Sequence, residues 1–419
     1  MSKTIAAAST PIGGAVAMIR ISGESALELT EKLCGQLNEP RKAYYVTADT
    51  GTVKDKCVAI WYKEGQSYTG EESAEIFCHG SKIIVSEILK FFVNNGAEIA
   101  QRGEFTLRAY RNKRIDLTEA EGIIDLINAE TVEQAVNAYK SADGEVKKTI
   151  FELQEKLKNI IAAVEVAIDY PEENIEAETI DEAKEKIKGI INQLNKLIVS
   201  YNDGRKIKEG IRIVITGKPN VGKSSLFNAL LGYKRAIVNS EEGTTRDVIE
   251  SDYLYKGRKF VLVDTAGIRE AESAPEREGI LLAKDEIKSA DVIIGLGVKD
   301  SEYVGEKDNL IKVSNKCDIA KGKNFCVSTL TGEGIDELKQ KIYEMTDFEP
   351  MGLKINNLRQ YQALSKAHQS LVRAENNNLT SDCFAADLSE AYDSLGEVTG
   401  VIGSDEIIDR IFSAFCVGK

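Results

Sequence analysis

Two kinds of hydrophobic periodicity divide the chain. Up to about residue 118, short β-rich runs alternate with glycine-containing turns, which predicts an α+β module. The predicted strands include Ala15–Ile21, Val58–Tyr62 and Ala74–Cys78. Beyond residue 118, apolar residues recur every three or four positions, which predicts long amphipathic helices. Two such stretches, Leu153–Ile168 and Ile187–Tyr201, flank Tyr170–Pro171 and predict an antiparallel helix pair in a bundle.

The helical pattern stops at Asn202–Gly204, where strands and helices begin to alternate, and this alternation runs to about Pro350. Helical periodicity then returns up to the C-terminus. We therefore predict an α/β domain inserted into an α-helical bundle domain, after an α+β N-terminal domain. The predicted ranges are 1–118 for the N-terminal domain, 119–207 and 349–419 for the two parts of the helical domain, and 208–348 for the inserted domain.

The composition is that of a globular protein, with 42% hydrophobic and 29% charged residues. No apolar run approaches the roughly 18–20 residues that span a bilayer, so no membrane partner is expected. Met1–Ala6 is followed too soon by Thr10–Pro11 to house the apolar centre of a signal peptide. Seven scattered cysteines and two histidines are typical of reduced thiols rather than of disulfides or zinc ligands. Together these features predict a cytoplasmic protein.

The net charge of −13 argues against a surface that binds nucleic acid throughout. One basic cluster lies in the N-terminal part and consists of Arg102, Arg108, Arg111, Lys113 and Arg114. It fits either a solvated helix face or a contact site for an anion or RNA, and the sequence leaves both interpretations open.

The first strand and loop of the α/β segment carry a phosphate-binding pattern. The apolar strand Ile211–Thr216 runs into Gly217–Ser224, which matches the P-loop in its expected strand–loop–helix setting. The two glycines of this loop let the backbone wrap around phosphates, while N–H groups point inward. Lys223 supplies a positive charge to the β- and γ-phosphates, and the Ser224 hydroxyl is a ligand for Mg²⁺.

Two further loops follow in the order expected after a P-loop. Gly243–Thr245 lies in a polar segment, where Thr245 can close over Mg²⁺ and the γ-phosphate. The strand Phe260–Val263 then leads to Asp264, which can hold the Mg²⁺ shell, and to Gly267, whose N–H can contact the γ-phosphate.

The base-binding loops predict guanine. In Asn315–Asp318, the Asp318 carboxylate can accept hydrogen bonds from guanine N1–H and from its exocyclic amine, whereas adenine has no matching donors. Ser328–Leu330 fits the last guanine-contacting loop. The five motifs predict an α/β Ras-like (P-loop) G domain that binds and hydrolyses GTP with Mg²⁺. The predicted GTP contacts are Asn220, Val221, Gly222, Lys223, Ser224, Ser225, Asn239, Ser240, Glu241, Glu242, Gly243, Thr244, Thr245, Asp264, Thr265, Ala266, Gly267, Asn315, Lys316, Asp318, Ser328, Thr329 and Leu330.

One expected catalytic group is replaced. Ras-type enzymes place a glutamine after the Asp-x-x-Gly motif to orient the attacking water, and here that residue is Ile268. Arg246 and Arg269 are the candidates for an arginine finger in cis. A monovalent cation is an alternative source of charge, held by Asn220 and by carbonyls of Asn239–Thr244. An asparagine in such a loop can equally be an ordinary turn residue.

With segments outside the G domain, these motifs resemble the MnmE or TrmE family of tRNA-modifying GTPases, and the resemblance covers nearly the whole chain. The segments that carry it are Met18–Gly23, Ser67–Glu72, Arg102–Ala109, Ile115–Glu121 and Phe415–Lys419. The last of these is specific, because GTPases in general have no reason to end in this way.

The resemblance implies a cofactor set and partners. The family couples GTP hydrolysis to modification of the wobble uridine of certain tRNAs at carbon 5. It acts with a flavin-containing MnmG or GidA partner, so a heterotetramer is expected. A tetrahydrofolate derivative (5-formyl- or 5,10-methylene-) carries the one-carbon unit, and a folate-binding-like N-terminal domain forms a homodimer. The G domains pair face to face across K⁺, which replaces the arginine finger.

The resemblance also implies roles for single residues. Asn220 is the K⁺-ligating asparagine, and Glu276 orients the attacking water in place of the missing glutamine. The remaining implied K⁺ ligands are Asn239, Glu241 and Thr244. The folate contacts are Arg20, Glu75, Arg114 and Lys419, since basic side chains suit the carboxylates of folate and a glutamate suits the pterin donors. Cys416 matches a terminal cysteine of the modification chemistry, and a buried packing role is left open for it.

Two other functions compete with tRNA modification. A regulatory GTPase of ribosome assembly would share the G domain, but it would not explain the motifs in the flanking segments. A membrane-remodelling GTPase of the dynamin kind would have helical stalks, but the sequence has no basic amphipathic segment for lipid contact.

Overall fold

The computed structural model of the chain describes ten stretches of residues. They are 3–169, 175–218, 220–232, 249–264, 286–297, 309–319, 324–348, 352–376, 380–401 and 405–419. The chain divides into two compact units. The first unit comprises Met1–Ile127, Tyr139–Ile191 and Ala363–Lys419, and the second comprises Asn128–Ala138 and Asn192–Gln362. These units group residues by contact, and the predicted domain boundaries stay predictions.

A six-stranded sheet with the order β3-β4-β5-β2-β1-β6 lies in the first unit. Its strands are β1 Ile5–Ala8, β2 Val16–Ser22, β3 Tyr44–Asp49, β4 Lys54–Tyr62, β5 Ser73–His79 and β6 Glu98–Ile99. All neighbours are antiparallel except β1 and β6. The predicted strands are confirmed, and their alternation has a physical cause. Every second residue of β4 and β5 enters the hydrophobic core, as Ala59, Trp61 and Ile76 do.

Some helices of the first unit pack against this sheet, and others pack against one another. They are α1 Ala26–Cys34, α2 Lys82–Asn94, α3 Glu104–Arg111, α4 Leu117–Ile127, α6 Glu145–Asp169, α10 Leu358–Asn376, α11 Ser381–Thr399 and α12 Asp405–Ser413, with the first turn of α10 in the second unit. Like α10, the helices α5 Val132–Ala142 and α7 Ile175–Glu209 contribute residues to both units. The pattern predicts that α6 pairs with α7, whereas α6 lies closest to α11, where Gln154 Nε2 donates to the carbonyl of Tyr392 at 3.3 Å.

The start of α4 shows how a family motif fixes local structure. Asp116 Oδ1 accepts from the N–H of Glu119 at 2.8 Å, and the Asp116 N–H donates to Glu119 Oε2 at 2.6 Å. This reciprocal pair is a capping box, which satisfies two backbone donors at the N-terminus of a helix. Burial raises the pKa of the Asp116 carboxyl.

The second unit is built on a six-stranded sheet with the order β12-β11-β10-β7-β9-β8. Its strands are β7 Ile211–Gly217, β8 Ile249–Tyr255, β9 Arg258–Asp264, β10 Val292–Leu296, β11 Leu310–Ser314 and β12 Phe325–Cys326, and its helices include α8 Lys223–Leu231 and α9 Ile335–Met345. All pairings are parallel except that of β8 with β9. The predicted fold class, with an α+β N-terminal part, helices and a P-loop α/β part, is confirmed.

The predicted end of the long helix at Asn202–Gly204 is wrong, since α7 continues to Glu209. Glycine usually marks a helix end because it lacks a side chain and destabilises helix interiors. Here it serves packing instead: a Cβ on Gly204 would lie 2.1 Å from the carbonyl oxygen of Ile355. Close approach of another segment, which sequence alone does not reveal, requires the glycine inside the helix.

Three general expectations can be compared with the structure. Within the described ranges, none of the helices combines the length and apolarity needed to cross a bilayer. All seven cysteines are described and all are free thiols, as predicted. Among the described residues, no cluster of His, Cys, Asp and Glu side chains could hold a metal ion by itself.

Candidate functional site

The loop between β7 and α8 places two glycines where no other residue fits. Gly217 has φ 152°, and a Cβ there would lie 2.3 Å from the carbonyl oxygen of Leu296. Gly222 has φ 97°, and its Cβ would lie 2.4 Å from Asn315 Nδ2. The missing side chains therefore let the loop pass close to β10 and to the base-binding loop. Asn220 adds a third positive φ of 61° and is exposed.

The predicted cationic and hydroxyl groups of the P-loop lie at the start of α8. Lys223 Nζ donates to the carbonyls of Gly217 at 3.3 Å and Lys218 at 3.0 Å, so its charge lies over the loop. Val221 is half-buried and packs against the core of the second unit, and Ser225 is exposed. The helix N-terminus together with the ammonium group forms a concentrated positive environment suited to phosphate oxygens.

The two described Mg²⁺ ligand candidates are in contact. Ser224 Oγ donates to Asp264 Oδ2 at 3.1 Å, and Asp264 is only 3% exposed at the end of β9. β7 and β9 are adjacent parallel strands, so both carboxyl ends reach the same edge of the sheet. A hydroxyl and a carboxylate oxygen at this separation are the kind of ligands that Mg²⁺ takes beside substrate phosphates.

The base-binding loops hold one another through side chains. Asn315 Oδ1 accepts from the N–H of Thr329 at 3.2 Å, and Asn315 Nδ2 donates to Thr329 Oγ1 at 3.4 Å. Ser328 Oγ donates to Asp318 Oδ1 at 2.6 Å, which orients the exposed carboxylate. Lys316 has a positive φ of 65° and is exposed, as is Leu330. Exposed apolar surface beside the base-selecting carboxylate also comes from Ile319, which the sequence reasoning missed.

Several predicted contacts lie outside the described residues. These are Asn239, Ser240, Glu241, Glu242, Gly243, Thr244, Thr245, Thr265, Ala266, Gly267 and Glu276. Ile268 and the two candidate arginines, Arg246 and Arg269, also lie outside them. Of the predicted K⁺ ligands, the structure therefore describes Asn220 alone, and its role stays a prediction.

A second site lies in the sheet of the first unit, where Arg20 on β2 faces Glu75 on β5. Arg20 Nε and Nη2 donate to Glu75 Oε1 at 3.1 and 2.9 Å, and both side chains are largely buried. The Tyr62 hydroxyl donates to Glu75 Oε2 at 3.1 Å. Burial and the charge of Glu75 raise the pKa of Tyr62, so the hydroxyl stays a donor.

Aromatic rings complete the surroundings of Arg20. Its guanidinium lies 5.2 Å from the ring centroid of Tyr68 and 5.7 Å from that of Phe105. Tyr68 and Phe105 lie inside motifs that carry the family resemblance, so the sequence held a signal for them. Tyr62 has no such signal, because its role depends on strand pairing alone.

The C-terminal residues lie against this part of the first unit. The Lys419 carbonyl accepts from the N–H of Phe105 at 3.2 Å, and the Gly418 carbonyl accepts from Ser9 Oγ at 2.7 Å. Gly418 has φ 95°, and a Cβ there would lie 2.1 Å from the carbonyl oxygen of Ala8. The structure thus brings the Lys419 backbone to Phe105, whose ring lies near Arg20.

The two remaining predicted residues differ in their surroundings. Arg114 is exposed, and its stem fills the space beside Gly70, where a Cβ would lie 3.1 Å from Arg114 Cγ. Cys416 is exposed, whereas its neighbour Phe415 is 2% exposed in the core. The Cys416 thiol therefore lies outside the packed core of this unit, and the buried side chain of this tail is Phe415.

The five residues of the N-terminal basic cluster differ in burial. Arg108 is bound by Glu71 at 2.9 Å and by Glu104 at 2.8 Å and is mostly buried. Arg102, Arg111 and Lys113 are exposed with Arg114. Arg108 thus forms ion pairs inside the unit, and the other four residues are exposed where an anion could bind.

Comparison with known proteins places the chain among its relatives. Residues 117–416 match the family described as the MnmE helical domain, and residues 4–114 match the N-terminus of the GTP-binding protein TrmE. The chain is 40% identical to the tRNA modification GTPase MnmE of Carboxydothermus hydrogenoformans, with 100% of both chains covered. It is 37% identical to that of Natranaerobius thermophilus, with 99% of both covered, and 37% identical to that of Aquifex aeolicus, with 100% of both covered.

A solved structure is similar over the nucleotide-binding part. The G domain of the T. maritima FeoB iron transporter is 30% identical, and the match covers 33% of this chain and 99% of that chain with a TM-score of 0.26.

Proposed function

The chain belongs to the MnmE family of tRNA modification GTPases, and from this premise we propose how its two sites divide the work. The loops of the second unit bind and hydrolyse GTP with Mg²⁺. The Arg20–Glu75 site of the first unit binds a tetrahydrofolate derivative as the one-carbon donor. The product is a wobble uridine modified at carbon 5 in certain tRNAs.

The contact between Ser224 and Asp264 supports the GTPase part of the proposal. The two groups are in contact with each other, so Mg²⁺ would meet oriented ligands and less ordering would oppose its binding. Lys223 then exchanges its loop carbonyls for phosphate oxygens. Asn220 holds K⁺ with Asn239, Glu241 and Thr244, which supplies charge to the developing transition state. Glu276 orients the attacking water, and two G domains pair across this cation.

The polarity of the Arg20–Glu75 site supports the folate part. A carboxylate that already accepts from Arg20 and Tyr62 is held in one orientation, in which it can accept from the amino and ring N–H groups of a pterin. The rings of Tyr68 and Phe105 offer flat apolar surface for a heterocycle. Arg114 and Lys419 are the cations for the carboxylates of the glutamate tail.

The charge of the chain supports a division of labour with a partner. With a net charge of −13, this chain contributes few phosphate contacts, and the flavin-containing partner of the MnmG or GidA kind supplies most of them. Homodimers of this chain and of the partner form a heterotetramer that acts on tRNA. We expect weak, salt-sensitive binding of tRNA to this chain alone, and tight binding at physiological salt would contradict the proposal.

The observation that carries the modification role is the exposed Cys416 thiol on a tail bound beside the Arg20 site. The test is mass spectrometry of wobble nucleosides in tRNA from cells that lack the gene. Cells are complemented with the unaltered gene, with Cys416→Ser, or with Cys383→Ser as the matched control, since Cys383 is also an exposed free thiol. We expect uridines modified at carbon 5 to return with the unaltered gene and with Cys383→Ser, but not with Cys416→Ser.

Two other outcomes are informative. If Cys416→Ser restores the nucleosides, the thiol has no chemical role and only the tail's position counts. If the profile of the deletion strain is unchanged, the modification role fails, and a regulatory GTPase of ribosome assembly becomes the better proposal.

A further inference from the structure

Two cations at the start of β9 each bind two carboxylates from different parts of the second unit. Arg258 pairs with Glu133 on α5 at 3.5 Å and with Asp347 at 2.9 Å. Lys259 pairs with Glu130, just before α5, at 2.9 Å and with Asp252 on β8 at 2.8 Å. Each cation therefore has one partner in or just before α5 and one partner elsewhere in the second unit, Asp252 on β8 or Asp347 just after α9.

Arg258 is more buried and makes more contacts than a residue of an ordinary surface ion pair. Its side chain is 5% exposed, and its guanidinium lies 4.5 Å from the ring centroid of Tyr343 and 4.2 Å from that of Phe348. Arg258 Nη1 also donates to the carbonyl of Thr346 at 3.3 Å. Lys259 stays charged as well: burial lowers its pKa, but the hydrogen bonds with Asp252 and Glu130 raise it above the usual value. Buried and oriented charges of this kind fix geometry more than they add stability.

The opposite end of β9 is the Mg²⁺ site. The strand ends at Asp264, which accepts from Ser224; it pairs with β8 from Arg258 to Asp264 and with β7 from Phe260 to Asp264. From Arg258 to Asp264 the strand is about 20 Å long, at roughly 3.3 Å per residue. This one continuous strand is the direct covalent path from Asp264 to Arg258 and Lys259.

The segment Glu130–Asn137 also contacts the chain where it enters and leaves the G domain. Gln134 Oε1 accepts from the N–H groups of Glu130 at 2.7 Å and Thr131 at 3.0 Å, which caps α5, and Gln134 Nε2 donates to the carbonyl of Lys208 at 3.1 Å. Lys208 lies in the last turn of α7, directly before β7. On the other side, the Asn137 amide pairs with both the N–H and the carbonyl of Lys354 at 3.3 Å.

We propose that Glu130 and Glu133 are positioning residues that link the Mg²⁺ end of β9 to helix α5. Binding of Mg²⁺ and GTP at Asp264 displaces β9, and the two ion pairs carry this displacement to Glu130–Asn137. Because α5 continues through Ala142, its amides report the nucleotide state. This inference rests on the proposed GTPase function and adds a route by which the nucleotide acts on helices outside the sheet.

The test compares two double variants of the full chain that remove the same number of charges from the same two cations. Glu130→Gln/Glu133→Gln removes the partners near α5, and Asp252→Asn/Asp347→Asn removes the other partner of each cation. Hydrogen–deuterium exchange of residues 132–142 is measured with Mg²⁺ and either GDP or a non-hydrolysable GTP analogue. In the unaltered chain we expect exchange in α5 to differ by at least about fivefold between the two nucleotides, the lower end of common couplings.

We expect this difference to vanish in Glu130→Gln/Glu133→Gln and to persist in Asp252→Asn/Asp347→Asn, with the affinity for the analogue changed less than about twofold in both. Equal nucleotide dependence in both variants, or no dependence in the unaltered chain, would overturn the proposal. Should the double variant fail to fold, Glu130→Gln alone gives the same comparison against Asp252→Asn, and it leaves Arg258 with both its partners.

Failure of the proposed function gives a different result. If the unaltered chain shows the exchange difference but its deletion leaves wobble nucleosides unchanged, the link stands and the modification role falls. If modification depends on the chain but α5 does not respond to nucleotide, the function stands and the link falls.

Discussion

The nucleotide loops of the second unit take most of their ligand-facing groups from the backbone, whereas the Arg20–Glu75 site of the first unit consists of side chains. In the P-loop, positive φ angles at Asn220 and Gly222 shape the backbone that we propose wraps the phosphates, and several side chains are exposed. In the first unit, a largely buried ion pair joins two strands. Substitutions in the loops should therefore change ligand binding, whereas substitutions in the strands should change stability as well.

The largest effect is expected at the base-binding loop, where Asp318→Asn changes the choice of nucleotide. An amide keeps an acceptor for N1–H and for Ser328 Oγ but presents N–H groups to the exocyclic amine of guanine. We expect GTP to bind about 10⁴-fold more weakly, as when a buried polar group loses its partner. Xanthosine triphosphate has an oxygen in place of that amine, so it should bind this variant better than GTP does. Fluorescence titration with labelled nucleotides measures both affinities.

The thermal stability of the first unit is the control for this prediction, since Asp318 lies on an exposed loop and should not affect it. Equal weakening of both nucleotides would mean that Asp318 shapes the loop rather than reads the base.

The Arg20–Glu75 pair should give the next largest effect, and on stability. Glu75→Ala leaves a guanidinium with little exposure and no anion, so we expect the free energy of unfolding to fall by about 3 kcal/mol. The single tryptophan, Trp61, lies on β4 and is 9% exposed, so its fluorescence during urea unfolding reports this sheet. GTP affinity should stay within about twofold of the unaltered chain, because the loops are built independently.

A second variant separates stability from ligand binding. In Arg20→Met/Glu75→Leu both charges are replaced by apolar groups of similar size, and we expect most of the lost stability to return. Binding of tetrahydrofolate should be lost in this variant, since no carboxylate is left for the pterin. If folate binds the double variant normally, the predicted role of Glu75 is wrong even though its structural role stands.

The same contrast explains what the sequence could predict. The P-loop, Asp264 and the base-binding loops are contiguous motifs, because a loop that wraps phosphate with its backbone needs glycines at fixed spacing. Their order along the chain is enough to predict the nucleotide. Arg20 and Glu75 could be assigned only through family resemblance, because their contact depends on the register between β2 and β5.

What the sequence could not predict depends on contacts between distant segments. Gly204 is typical of a helix end, and only the approach of Ile355 explains why it lies inside α7. One partner of Arg258, Glu133, lies within α5, and one partner of Lys259, Glu130, lies just before it. Both are more than a hundred residues earlier, in a range predicted to belong to the helical domain. Tyr62 enters the site because β4 pairs with β5. In each case local propensity is overridden by packing, and periodicity carries no information about it.

The smallest effect is expected at the C-terminal tail, where Gly418→Ala tests whether the tail is part of the Arg20–Glu75 site. Its Cβ would lie 2.1 Å from a backbone oxygen of Ala8, which cannot move aside as a flexible side chain would. We expect the tail to leave its place, with loss of the hydrogen bond from Phe105 to Lys419 and faster exchange at the N–H of Phe105. Because only a terminal segment is released, the cost in unfolding free energy should stay within about 2 kcal/mol.

Gly51→Ala is the matched control for this variant. Gly51 also has a left-handed φ of 82°, but nothing lies within 4 Å of its added Cβ, so it measures backbone strain alone, about 1–2 kcal/mol. If both variants lose the same stability and Phe105 exchange is unchanged in Gly418→Ala, the tail tolerates the methyl group and the close approach to Ala8 is not a constraint. If exchange rises only in Gly418→Ala and folate affinity falls with it, Lys419 contributes to the site through the position of the tail.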